Sequence, residues 1–299
     1  MGDRILTKVV CFISEKGGVG KTTACFELAV ALNVRHQKQV LVMDADYQRG
    51  GITGRLDAKY IPMFAVGAIP GVTLFHKFQQ LYSASSLTTN IDIDTSRFGI
   101  DFIPADPRLA SVSEDKLPSG KTIQQNSKSM LEHMMVIDAV LAPLKGNYDY
   151  IFIDSHPEVS SLLRSVIFAS DYAVSPVKLD LQSSIGVPTV IGEIKGVNDD
   201  VAAMRSVIGL PLAYNPTKFA GAIGMMAREY GGDLKDSEDT EYRRLVRVGT
   251  VFEHYITEGD GIRRAAQNRS SVRNINIANA KKQTAQINAI SDEFLRKCP

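Results

Sequence analysis

The sequence predicts an α/β domain with a mostly parallel, twisted sheet and helices on both of its faces. Two observations predict it. Short apolar runs of strand character alternate along the 299 residues with segments of helical periodicity, the order produced by a parallel sheet with crossover helices. Polar residues of chemical interest stand at the carboxyl ends of those apolar runs, where open α/β sheets hold ligands. The predicted strands are 8–14, 39–44, 99–104, 150–154, 172–176 and 210–215. The predicted helices are 21–35, 129–144, 158–169, 182–195 and 278–296. Segments 83–97 and 111–129, rich in Ser, Asn, Gln and Lys, read as surface excursions, and the polar stretch 230–244 reads as a mobile loop. Regular patterning resumes after each, so residues 1–299 are expected to form a single domain.

Composition narrows the function classes. Hydrophobic residues make up 44% of the chain, enough for a sizeable core. The net charge of +1 argues against a globally basic nucleic-acid coat and leaves room for a local basic face. The three cysteines, Cys11, Cys25 and Cys298, have neither metal-site nor redox spacing and read as buried free thiols, which suits a reducing cytoplasm. No apolar run is long enough to span a bilayer, and the first apolar run reads as a strand rather than a signal peptide.

The chemistry concentrates in Glu15-Lys16-Gly17-Gly18-Val19-Gly20-Lys21-Thr22-Thr23. A strand precedes it and a helix follows. Strand, glycine-rich loop and helix N-terminus form a phosphate cradle: backbone N–H groups turn inward, Lys21 reaches the outer phosphates, and the Thr22 hydroxyl can ligate Mg²⁺. The usual P-loop pattern has Gly where Glu15 stands, and a second lysine, Lys16, follows it. In this respect the loop resembles the deviant Walker A motif of the ParA/MinD family of ATPases. The resemblance implies a P-loop NTPase domain, ATP and Mg²⁺ as cofactors, nucleotide held by residues 16–23 (Val19 and Thr23 included), and a homodimer with ATP between its subunits. It also implies that Lys16 crosses the dimer interface to the partner's nucleotide.

Three further pieces extend the likeness. The second predicted strand ends Asp44-Ala45-Asp46-Tyr47-Gln48, where ParA proteins place D-x-D-P-Q. By resemblance Asp46 positions the hydrolytic water, and Asp44 supports the loop and the metal shell. The fourth ends Tyr150-Ile151-Phe152-Ile153-Asp154, an apolar strand closing on the carboxylate that holds Mg²⁺ in a Walker B motif, and continues Ser155-His156-Pro157 as the second switch. His156 reads as a switch-loop residue rather than a base, because phosphoryl transfer rests on positioning and electrostatics. Asn215 ends the last predicted strand, where family members recognise adenine; an amide donates and accepts at once. The likeness returns at Gly249-Thr250-Val251-Phe252 and Gly261-Ile262-Arg263-Arg264-Ala265, so it covers about residues 8–270.

From Ile262 to Lys282 the chain carries Arg263, Arg264, Arg269, Arg273, Lys281 and Lys282 and no acidic residue. The four arginines are candidate contacts to duplex DNA, which ParA proteins bind without sequence preference as ATP dimers; the absence of acids distinguishes the stretch from an ordinary solvated face. The expected function is an ATP-dependent partition or positioning ATPase, cytoplasmic and nucleoid-associated, that releases DNA when a ParB-like, cargo-bound activator stimulates hydrolysis. The alternative is a MinD-like ATPase of membrane surfaces. Against it, no basic amphipathic tail is seen: Ile287, Ile290, Phe294 and Leu295 form a stripe better suited to the core. A nitrogenase-type reductase would need bridging cysteines, and a dead scaffold would not need intact Lys16, Lys21, Thr22, Asp46 and Asp154.

Overall fold

Seven strands meet in one sheet because their side chains alternate between two apolar layers. The computed structural model describes residues 6–48, 51–209 and 213–299. In chain order the elements begin β1 (Lys8–Phe12), α1 (Lys21–His36), β2 (Val40–Ala45), α2 (Ile52–Leu56), α3 (Ile61–Val66) and α4 (Leu74–Tyr82). They continue β3 (Asp94–Thr95), β4 (Asp101–Ile103), α5 (Ile123–Leu141), β5 (Tyr150–Ser155), α6 (Ser161–Phe168), β6 (Tyr172–Lys178), α7 (Leu181–Ser184), α8 (Gly186–Ile208) and β7 (Lys218–Met225). A small hairpin, β8 (Glu229–Tyr230) with β9 (Asp233–Leu234), then precedes α9 (Asp236–Val248), α10 (Asp260–Gln267) and α11 (Ala278–Lys297).

The sheet order is β3-β4-β2-β5-β1-β6-β7, parallel throughout except for the β3–β4 edge pair. Val10, Phe12, Val42, Phe102, Phe152 and Val174 point into the layer under α1 and α11. Val9, Cys11, Ile13, Leu41, Met43, Ile151 and Ile153 point into the layer under α5, α6 and α8. This period-two division makes each inner strand read as a continuous apolar run. The cysteines are free and buried, and burial pushes the Cys11 thiol up to about 12. The stripe on α11 is inside too: Ile287, Ile290 and Phe294 are buried and Leu295 packs beside them, so it does not present a membrane-binding face. Among the described residues no helix is long and apolar enough to cross a membrane.

Two expectations are corrected. The last long strand is Lys218–Met225, not 210–215; Leu210, Pro211 and Leu212 lie outside the described residues, and Ala213–Thr217 is irregular. Pro216 has no N–H to give a ladder. Thr217 instead donates its hydroxyl to the carbonyls of Ile167 and Ser170, and its N–H to Asn198 Oδ1. The polar stretch 230–244 is largely helix. Asp236, Glu238 and Asp239 occupy the first turn of α9, where carboxylates favour the helix dipole, and Leu245 is its buried apolar anchor.

Candidate nucleotide-binding site

Strand register builds the site. Phe12 at the end of β1 lies opposite Asp154 of β5, and Asp154 lies opposite Asp44 of β2, so the loop after β1 and both acidic strand ends open on the same edge. Gly18 (φ 74°) and Gly20 (φ 93°) take left-handed backbone there, which glycine adopts without a Cβ penalty, and α1 starts at Lys21. The loop borders a cavity of about 330 Å³ lined by Lys16, Gly17, Gly18, Gly20, Lys21, Thr22 and Thr23 together with Asp46, Gln48, Gly51, Pro157 and Met226. Val19 is buried beneath it.

Lys21 is nearly buried, and its Nζ stands 3.6 Å from Asp46 Oδ2 and 3.6 Å from Asp154 Oδ1. Asp154 is wholly buried, and neither of its oxygens has a hydrogen-bond partner. Burial holds its carboxyl above the ordinary range, opposed by Lys21. A buried carboxylate without a donor is costly, and here it faces a cation and a helix N-terminus. Hard oxygen donors at Asp154 and Thr22 suit a magnesium ion that takes its remaining ligands from phosphate and water. That mode needs no protein cage, and among the described residues no three His, Cys, Asp or Glu side chains cluster to form one.

Asp44 does other work. Its Oδ1 accepts the Asp46 N–H at 3.0 Å, and its Oδ2 accepts both the N–H and the hydroxyl of Thr53, at 2.9 and 2.6 Å. Three of its acceptor directions are turned into the loop, which is loop support, and one lone pair of Oδ1 is left over. Burial, with Asp154 nearby, pushes its carboxyl up to about 8.

A family model described as an AAA domain matches residues 7–206 of this chain. An uncharacterized protein of Pseudomonas putida is 27% identical over 192 residues, covering 64% of this chain and 64% of that one. A ParA family protein of Chlamydia pneumoniae is 28% identical over 254 residues, 83% of this chain and 88% of that one. The chain belongs to the ParA/MinD family of P-loop ATPases. Its fold is also that of Cyanothece McdA in an ATP complex, with a TM-score of 0.70 at 18% identity, covering 95% of this chain and 96% of that one.

Within this ParA/MinD-family fold, Lys16 is exposed at the mouth of the cavity and makes no ion pair among the described residues. Asn215 is displaced. It is exposed and precedes β7, whose far end, Met225, is the one that approaches Gly20. A strand of that length separates the two by roughly 25 Å, so Asn215 stands at the edge of the sheet away from the loop. What lies beside the loop instead leaves little trace in the sequence. A second cavity of about 230 Å³ adjoins Gly20 and Thr23, walled by Met225, Met226, Ile256, Ile262 and Ala266, with Thr257, Glu258, Arg263 and Gln283 as polar edges. Its only signal in the sequence is the Met225-Met226 pair ending a small-residue strand.

The basic segment is not one helix face. Arg263 and Arg264 are exposed on α10, and Arg263 pairs with Asp260 at 3.0 Å. Arg269 is exposed in the turn after it, with φ 48°. Arg273 is half-buried and donates to Asn288 Oδ1 at 3.1 Å; its pKa is lowered by burial. It braces the fold instead of extending the surface. Lys282 is tied to Glu229.

Proposed function

We propose that this chain is a positioning ATPase that binds ATP with Mg²⁺, dimerises around two nucleotides and holds duplex DNA without sequence preference. Hydrolysis, stimulated by a cargo-bound, ParB-like activator, releases it. The working place is the cytoplasm, on the nucleoid. The observation that carries this reading is the buried Lys21 between Asp46 and Asp154, with the second loop lysine, Lys16, left outside. One lysine serves the phosphates in its own subunit, and the other is free to serve those of a partner. Residues 16–23 would cradle the triphosphate, Thr22 and Asp154 would hold the metal, and the base would sit in the apolar cavity by Met225 and Met226. Bound magnesium would supply charge neutralisation at the outer phosphates. Asp46 would hold the attacking water. The deciding experiment measures DNA binding with no nucleotide, ADP and ATP beside ATP turnover; affinity that ignores ATP defeats the proposal.

Three results are expected of variants. Asp46→Ala should keep ATP and sediment as a stable dimer while turnover falls at least about a hundredfold, because the binding groups remain and the water-holding group is gone. A monomer without ATP removes that role. Lys16→Ala should bind ATP yet neither dimerise nor hydrolyse it, and in mixtures with a separately inactivated subunit the activity should follow the partner's lysine. Activity that follows the subunit's own Lys16 excludes action in trans.

The third result concerns DNA. Changing Arg263, Arg264 and Arg269 together to Gln should weaken duplex binding for every sequence and lower the slope of log affinity against log salt by roughly 3 per subunit. Arg273→Gln should cost stability more than affinity, since its guanidinium is spent on Asn288. Parental affinity of the triple variant at low salt with ATP would reduce the arginines to a solvated surface.

A further inference from the structure

Two aromatic rings join the acidic loops, and neither lines the phosphate cavity. Tyr47 follows Asp46, and His156 stands two residues after Asp154. Their ring centroids are 4.1 Å apart with an interplanar angle of 15°, a stacked pair. His156 is buried; its Nδ1 accepts the Glu158 N–H at 3.2 Å, and its Nε2 has no partner. A buried ring nitrogen left without a partner costs free energy, so something else must hold the imidazole there. The tyrosine face is that contact.

The stack closes a small circuit. Asp44 accepts the Asp46 N–H, Asp46 Oδ1 accepts the Gln48 N–H at 2.9 Å, and Tyr47 between them leans on His156. The carboxylates of Asp46 and Asp154 then flank Lys21 at equal distance. Those ion pairs are what an entering phosphate group would disturb, because it competes for Lys21. The ring stack involves no charge and would survive that entry. Tyr47 also stands where the D-x-D-P-Q pattern has a proline, so this loop lacks the rigidity of a fixed φ and needs another restraint.

We propose that Tyr47 and His156 are positioning residues for hydrolysis: their stacked rings clasp the Asp46 loop to the Asp154 loop and hold Asp46 in register for the attacking water. This rests on the chain being an ATPase. Tyr47→Ala and His156→Ala should each lower kcat about tenfold to a hundredfold while nucleotide affinity changes less than about threefold. The double variant should be no slower than either single one, because both remove one contact. Tyr47→Phe and His156→Phe should restore turnover, since each keeps a ring. Hydrogen exchange of the nucleotide-free protein supplies a readout independent of turnover: Tyr47→Ala should speed exchange in 154–158, and His156→Ala in 46–48. Additive losses in the double variant, a His156→Phe protein as slow as His156→Ala, or exchange confined to the mutated loop would each overturn the clasp. A parent that binds ATP without turning it over would overturn the ATPase reading alone, and the reciprocal exchange would then decide the clasp by itself.

Discussion

Lys21→Ala is expected to abolish ATP binding and, in the same protein, to lower the stability of the nucleotide-free state by about 3–5 kcal/mol, the scale for breaking a buried ion pair from one side. Two reasons act together. The loop loses the cation placed for the outer phosphates. Asp154, fully buried and without a hydrogen-bond donor, loses the ammonium 3.6 Å away. Its carboxyl already sits above the ordinary range through burial and would rise further. The sign of the pH effect follows. A carboxyl with a raised folded-state pKa takes up a proton more readily when folded, so folding is favoured as pH falls. The stability gap between variant and parent should therefore narrow as pH falls in thermal melts. Lys21→Ala combined with Asp154→Asn should recover stability and still bind no nucleotide. Parental ATP affinity in Lys21→Ala would end the phosphate assignment.

The second large effect is expected at Glu27, six residues along α1 from Lys21. Glu27 on α1 is buried, and its Oε1 accepts from Arg55 Nη2 at 2.5 Å and the Val272 N–H at 3.1 Å, while Oε2 accepts the Ser271 hydroxyl at 2.7 Å. The Arg55 guanidinium lies 4.0 Å from the Phe26 ring centroid and also donates to the Ser270 carbonyl. Glu27→Ala strands a buried guanidinium and two donors, so a loss of about 3–5 kcal/mol is expected in urea unfolding. That is a large share of the 5–15 kcal/mol typical of a folded domain. Glu27→Met with Arg55→Met should regain most of it, because an apolar pair of similar volume leaves no charge unpaired. If the double variant is no better than Glu27→Ala, the cost lies in Ser271 and Val272 rather than in the stranded guanidinium.

The inner strands were legible because burial on both faces makes them plain apolar runs: residues 8–12, 40–45, 150–155 and 172–178 lie within one or two residues of the expected ends. The phosphate loop was legible for another reason, since its glycines and lysines are fixed by local backbone geometry and charge. β7 was not, because Lys-Phe-Ala-Gly-Ala-Ile-Gly-Met carries small residues where a strand usually shows branched ones, and a leucine-rich segment before it drew the assignment away. Asn215 followed that misplaced strand to the wrong edge of the sheet. The basic segment looked uniform because a charge count carries no direction; only packing shows that Arg273 is turned to Asn288 while Arg264 is exposed. The hold of Asp44 on its loop was not legible either, because Thr53, which donates to it twice, lies nine residues on.

The strand order also bears on how the chain is made. β1, which launches the phosphate loop, has β5 and β6 as its sheet neighbours, and neither β2 nor any other strand before residue 150 pairs with it. A ribosome adding 5–20 residues per second needs on the order of ten seconds to reach β5 after finishing β1. Through that interval the nascent loop lacks both strands that flank β1, and Asp154, the carboxylate opposite Lys21, has not been synthesised. ATP in the cell is therefore no template for the first half of the chain. It is a ligand for a chain past its midpoint, and the apolar β1 strand waits in the meantime for whatever shields it from aggregation.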